Sequence, residues 1–245
     1  MATAAESVCR GCPYRADSVL ADLTDDRLEQ FSRLKLVSRY RKHQRIFYEG
    51  EPNLGLSILC EGKVKLSRSS EGGKTQILDV TGPCGLLGEK DLFLSERRSV
   101  TAEAIEDCVV CFIKREQFLS FIEENPRVAL RLIQHLSEQL ARAEDRSFAF
   151  TSMDVKRRVA ELLLNLASRH GRPARDGCVL DVSLSREDLA EMIGATPETV
   201  IRVLSAFRKD GVIADAGKRL VLRQPERLRR VAGQPASADR PHAAS

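Results

Sequence analysis

Ser185-Arg186-Glu187-Asp188-Leu189-Ala190-Glu191-Met192-Ile193 is followed by Gly194-Ala195, then by Thr196-Pro197-Glu198-Thr199-Val200-Ile201-Arg202 and on to Asp210-Gly211. Ser185 is placed to cap a short helix, because its hydroxyl can accept from the free N–H groups of a first turn. Gly194 breaks that helix. Thr196 caps a second one, with Pro197 at its first position, where the missing N–H costs nothing. Two short helices joined by a glycine-containing turn form a helix-turn-helix. With Val200, Val203, Leu204 and Phe207 on the inner face, Glu198, Thr199, Ile201, Arg202 and Lys209 face outward. The exposed N-terminal half of such a second helix is the part that enters a DNA major groove. There Arg202 can donate two hydrogen bonds to guanine, and Glu198 can accept from cytosine. Residues 212–222 then read as a hairpin, or wing, whose tip carries Lys218 and Arg219, both suited to phosphate. The expected DNA-facing set is Thr196, Glu198, Thr199, Ile201, Arg202, Lys218 and Arg219. Taken alone, the stretch also suits a helical hairpin with a solvated charged face.

The charge distribution favours the first reading. The 245-residue chain has a net charge of only +4. Residues 154–232, however, hold 16 Lys and Arg against 11 Asp and Glu, so the surplus surrounds the helix-turn-helix, where a polyanion docks. Apolar residues make up 42% of the chain, which excludes collagen-like and wholly disordered classes. The run Val109–Ile113 is far shorter than the ~20 residues of a membrane helix. The first residues have neither a basic start nor an apolar stretch, so no signal peptide is read. The expectation is a soluble, cytoplasmic protein without a membrane partner.

Upstream, Asn125-Pro126 opens a long helix. Ala129, Ile133, Leu136, Leu140, Ala143, Ser147 and Phe150 step by four and three, a heptad seam with charged flanks at Arg131, Glu138, Arg142 and Glu144. It reads as a two-stranded homodimer seam over residues 126–150, or as an amphipathic helix packed on its own domain. Before it, from about Val37 to Ile113, short alternating segments separated by Glu61-Gly62, Gly72-Gly73 and Gly82-Pro83 read as a small β-sandwich or barrel. Thr24 caps a short helix bearing Leu28 and Phe31. The expected fold is α+β, divided into an arm over 1–22, a β-roll over 23–121, a dimerisation helix over 122–153, a winged helix-turn-helix over 154–232 and a disordered tail over 233–245.

This order of parts resembles the CRP/FNR family of bacterial transcription regulators from about Leu23 to Ala232. The nearest stretches are Arg157–Ala167, Ser185–Asp210 and the Gly-Glu…Arg-Ser block of the roll. The resemblance implies a cyclic-nucleotide-binding type of β-roll and no enzymatic activity. It further implies a homodimer on a palindromic promoter site, working with RNA polymerase. Family members carry Glu and Arg four apart on the recognition helix, matching Glu198 and Arg202. Pro197 and Ile201 depart from the best-known members, which leaves the flanking base preference open.

Seven cysteines are present, and four form two Cys-x-x-Cys pairs, Cys9/Cys12 and Cys108/Cys111. Four thiolates suit a soft metal site, either iron–sulfur or tetrahedral zinc. They also suit a thiol–disulfide switch without metal, or they are two unconnected pairs. The arrangement resembles the family's iron–sulfur branch, which implies an oxygen-labile [4Fe–4S] cluster on Cys9, Cys12 and Cys111. That branch's third N-terminal cysteine falls near Ser18, so Cys108 is expected to complete the set. Cys60, Cys84 and Cys178 read as small buried hydrophobes. A second sensor is implied by the family's phosphate-binding block: Gly88, Glu89, Arg98 and Ser99 match residues that hold the ribose and phosphate of a cyclic nucleotide. Here the intervening loop is short, and Ala143-Glu144 stand where cyclic-AMP binders place Thr-Ser.

Overall fold

The structure is a computed structural model, describing residues 9, 11–94, 96–217 and 219–234. Lys218 and the tail from residue 235 therefore lie outside the described residues. The chain forms two compact units, one ending at Ala143 and one beginning at Glu144.

In the first unit a 3-10 turn (Arg15–Asp17) leads to α1 (Asp25–Leu34), capped by Thr24 through Arg27 N–H. Eight strands follow: β1 (Leu36–Tyr40), β2 (Arg45–Phe47), β3 (Gly55–Glu61), β4 (Val64–Ser69), β5 (Thr75–Thr81), β6 (Leu86–Leu87), β7 (Thr101–Ala104) and β8 (Cys108–Lys114), with α2 (Glu89–Leu94) between β6 and β7. They make two antiparallel sheets, in the orders β1-β8-β3-β6 and β2-β7-β4-β5. One core cluster gathers Phe47, Leu59, Val64, Leu87, Ala102, Cys108 and Val110 from strands of both sheets. The other gathers Leu56, Ile58, Cys111 and Ile113 of β3 and β8 with side chains of the arm, α1, α3 (Arg115–Glu124) and α4 (Pro126–Ser152). The sheet containing β3 and β8 is thus buried on both faces. This explains why β8 is almost continuously apolar.

Two expectations change here. The long helix opens at Pro126 as read, but the segment set at 122–153 also takes in the end of a separate helix, α3, which stops at Asn125. That residue ends α3, its side-chain amide donating to Phe121 O, and Pro126 then opens α4. Prolyl ring sterics disfavour a helical conformation for the preceding residue. The seam also divides. Ile133, Leu140 and Ala143 are exposed, together with Leu130, but Leu136 packs against the unit's own core beside Val128 and Leu132. The free apolar face therefore runs through Leu130, Ile133 and Leu140.

The second unit holds the rest of α4, α5 (Val155–His170), β9 (Gly171–Ala174), β10 (Gly177–Leu180), α6 (Arg186–Ile193), α7 (Pro197–Lys209), β11 (Ile213–Ala216), β12 (Arg219–Leu222) and α8 (Pro225–Ala232). The wing is part of a four-stranded sheet, β11-β12-β10-β9. The β9–β10 hairpin and α8 were not expected from sequence. Phe150, expected on the seam, is half-buried within this unit, with the Arg158 guanidinium 5.4 Å over its ring. Gly194 ends α6 in the left-handed region at φ +63, and a Cβ there would lie 2.9 Å from the Phe150 ring. Backbone conformation and packing both demand glycine. Among the described residues no helix is long and apolar enough to cross a membrane.

Candidate functional site: a thiol-lined cavity, a phosphate-type pocket and a recognition helix

The recognition element is built by local chemistry. Ser185 and Asp188 cap α6 reciprocally, and Thr196 caps α7 through Thr199 N–H; each cap contributes about 1 kcal/mol. Val200, Leu204 and Phe207 are buried, which turns Glu198, Ile201 and Arg202 outward. Thr196 is exposed and Thr199 is half-buried. Glu198 is held below the usual carboxylate range by its own N–H and the Thr196 hydroxyl, so it stays an acceptor. Arg219 is on the wing but pairs with Asp181 at 2.8 Å, and Asp181 also holds Arg172 at 2.6 Å. Lys218 lies outside the described residues.

The cysteines are not grouped as their spacing suggested. Strand β8 puts residues 108 and 110 on one face and 111 and 113 on the other, because successive side chains alternate. Cys108 faces the core between the sheets, its Sγ donating to Lys63 O at 3.3 Å and Glu106 O at 3.2 Å. Burial pushes its thiol up to about 11. This overturns the placement of Cys108 beside Cys111. A three-residue spacing that joins two side chains on a helix or turn separates them on a strand.

Cys111 instead shares a cavity with Cys9, Cys12, Cys60 and Cys84, also lined by Ser18, Val19, Leu28 and Phe31. Cys60 and Cys84, read from sequence as isolated hydrophobes, are therefore part of the site. Residues 56, 58 and 60 of β3 share the face of Cys111, and Ile58 is its cross-strand partner. The Cys60 and Cys111 sulfurs are 2.8 Å apart, and those of Cys12 and Cys84 are 3.4 Å apart. The contact between the two raises the Cys60 thiol and lowers that of Cys111. Burial, and then Cys12, push the Cys84 thiol up to about 12. The Lys35 ammonium, itself buried, donates to Cys9 Sγ at 3.1 Å. Ser18 cannot stand in for a thiol: its hydroxyl donates to Arg15 O and accepts from Leu20 N, fixing the arm's turn.

The arm is held by burial of Val19, Leu20 and Leu23 and by an Asp22–Arg131 fork to α4, at 2.9 and 3.0 Å. The cavity volume is about 30 Å³, room for about two waters. Among the described residues, no group of three metal-binding side chains converges on a single ion position. The thiols surround a space. Thiols are soft donors, the kind that both iron–sulfur groups and zinc take.

The second pocket surrounds Arg98, which is 5% exposed. One terminal nitrogen donates to Gly55 O at 2.8 Å, and the guanidinium stacks 4.2 Å over Phe47. Among the described residues the other nitrogen, Nη1, has no partner, nor does the buried Ser99 Oγ. Gly88, at φ +84, is required there, since a Cβ would collide with Arg98 Nη1. Glu89 is engaged by α4: Gln139 Nε2 donates to its Oε1 at 2.6 Å, with His135 Nε2 at 3.6 Å.

Comparison with known proteins covers both units. The family model for a cyclic nucleotide-binding domain matches residues 37–125, and that for a Crp-like helix-turn-helix domain matches residues 157–231. The chain is 33% identical over 187 residues to the "CRP-like cAMP-activated global transcriptional regulator" of Mycobacterium tuberculosis, spanning 76% of this chain and 83% of that protein. It is 27% identical over 220 residues to the "Transcriptional activator protein FnrL" of Cereibacter sphaeroides, spanning 87% of each. Among solved structures, FixK2 from Bradyrhizobium japonicum superposes with a TM-score of 0.73 at 27% identity, over 83% of this chain and 98% of that one.

Proposed function

The chain belongs to the CRP/FNR family of DNA-binding transcription regulators, and from that premise we propose that its DNA binding is controlled by an iron–sulfur group held between the arm and the roll. The observation that carries this is the convergence of five thiols on one cavity. Cys9, Cys12 and Cys111 supply three thiolates, and the fourth comes from another thiol of the same cavity. When bound, such a group supplies a reaction with oxygen or nitric oxide that destroys it. The chain's own residues turn that loss into a change of shape. Cys111 shares its core with Val128 and Leu132 of α4, and the arm grips α4 through Asp22 and Arg131. Release of the arm thus loosens the inner face of the helix whose outer face carries Leu130, Ile133 and Leu140. A coupling of 1–3 kcal/mol is enough to switch binding 5–150-fold.

A homodimer formed along residues 126–150 presents two copies of α7 to a palindromic promoter, where Arg202 and Glu198 read a G·C pair. Thr196, Thr199, Ile201, Lys218 and Arg219 complete the contact surface, and RNA polymerase is the partner at the promoter. The test is protein purified without oxygen and analysed for iron, acid-labile sulfide and zinc, then mixed with DNA before and after air. About four iron and four sulfide per chain, with DNA affinity changing on bleaching, is expected. Zinc without sulfide, or an unchanged affinity, overturns the reading.

A second reading rests on one observation: two buried polar atoms without partners among the described residues, Arg98 Nη1 and Ser99 Oγ. A cyclic phosphate satisfies both, and Glu89 accepts from a ribose hydroxyl once Gln139 yields. Calorimetric titration with cyclic AMP and cyclic GMP decides it. Heat lost in Arg98→Leu supports the pocket, and no heat in the wild type removes it.

A further inference from the structure

We propose that the fourth thiolate of the iron–sulfur group is Cys84, with Cys9, Cys12 and Cys111, and that Cys60 stays outside the ligand set. This rests on the iron–sulfur reading and goes beyond it by naming ligands that neither spacing nor family likeness assigns.

Two contacting pairs line the cavity, Cys12 with Cys84 and Cys60 with Cys111. In a four-iron cluster each thiolate holds a different iron, so the ligating sulfurs cannot stay in mutual contact. The two pairs differ in what lets them part. Cys60 and Cys111 stand on β3 and β8, neighbouring hydrogen-bonded strands with Ile58 opposite Cys111. The backbones of that pair are tied by the sheet, so those sulfurs part only as far as side-chain rotation carries them, and the pair supplies one ligand. Cys12 is on the arm and Cys84 on the turn between β5 and β6. They part if the arm yields, without loss of a strand pairing.

The backbone at Cys84 supports the same choice. The turn Gly82-Pro83-Cys84-Gly85 holds Cys84 at φ +63, in the left-handed region that glycine occupies at no steric cost. Its N–H donates to Leu59 O at 2.7 Å, and Gly85 O accepts from Leu59 N at 2.9 Å, so the turn is pinned to β3. Glycine would fit this backbone without strain, yet a cysteine is there with its sulfur in the cavity. Strain of this kind persists where function requires the side chain.

The test is anaerobic reconstitution of the full chain with ferrous iron and sulfide, read as iron and sulfide per monomer and as the visible absorption band. Wild type, Cys60→Ser, Cys84→Gly, Cys108→Ser and Cys111→Ser are treated alike. Cys84→Gly is the informative variant, because glycine suits φ +63 and the apoprotein should melt no lower than wild type. Cys84→Gly and Cys111→Ser are expected to lose at least half of the iron, while Cys60→Ser and Cys108→Ser keep it. A Cys84→Gly protein with wild-type iron overturns the assignment, as does a Cys60→Ser protein that loses it. A wild type that takes up no iron removes the iron–sulfur reading itself, a result distinct from either variant outcome.

Discussion

Arg202 and Arg219 are both exposed arginines of the DNA-binding unit, but their surroundings differ. Arg202 has no ion-pair partner among the described residues, whereas Arg219 is tied to Asp181. Arg202→Ala should cost about 1–3 kcal/mol at the cognate site and relax specificity at one base pair. Fluorescence anisotropy with single-base operator variants at fixed salt checks this; uniform weakening across all variants would mean Arg202 touches only phosphate. Arg219→Ala should weaken every sequence alike and lower the salt slope by about one. Gly194→Ala meets the Phe150 ring and a left-handed backbone together, and should destabilise the second unit by more than ~1 kcal/mol in urea melts. The sequence made these residues legible because capping and helical periodicity are local. Cys60 and Cys84 were misread for the opposite reason: each is single in sequence, and what gives it a role lies 51 or 72 residues away.

At the scale of elements, α4 and the arm are the coupled pair. Asp22 is held below the ordinary carboxylate range by its hydrogen bonds from Arg131. Because the folded value is depressed, the contact is fully present above the unfolded carboxylate pKa of about 3.9. It fades as pH falls through the lowered value. Asp22→Asn should therefore speed hydrogen exchange in residues 15–23 at neutral pH, and wild type should approach the variant only in strong acid. Equal protection in both proteins at pH 7 would show that the arm is held by its leucines alone. Leu132, buried on the inner face of α4, should cost about 2–5 kcal/mol on truncation to alanine. Strand β8 teaches the complementary lesson. Its apolar run Val109–Ile113 was informative in sequence only as too short for a membrane helix, and the parity of Cys108 and Cys111 follows only once the segment is known to be a strand.

At the scale of the whole molecule, the outer face of α4 is the feature left for a partner protomer. Ile133 is 59% exposed and Leu140 is 61% exposed, a stripe spaced as in a coiled-coil seam, which a second copy covers in the dimer proposed above. Leu140→Glu should give a monomer by sedimentation and abolish binding to a palindromic site, with the chain still folded by circular dichroism; a dimer that survives would place the interface elsewhere. Heptad spacing in the sequence pointed to such a stripe, but it placed Leu136 and Phe150 on it as well. The sequence by itself determined several local elements: α1, α6 and α7 with their caps, the opening of α4 at Pro126, the winged helix-turn-helix order and the outward set of α7. Each depends on residues within one or two turns of each other. The tertiary structure alone decided which apolar positions of α4 remain free and which cysteines meet. Those outcomes depend on strand pairing and on packing between distant segments, and no local pattern encodes them. The thiol-lined cavity is therefore a product of the sheet register that sets Cys60 beside Cys111, and of the turn that brings Cys84 to the arm.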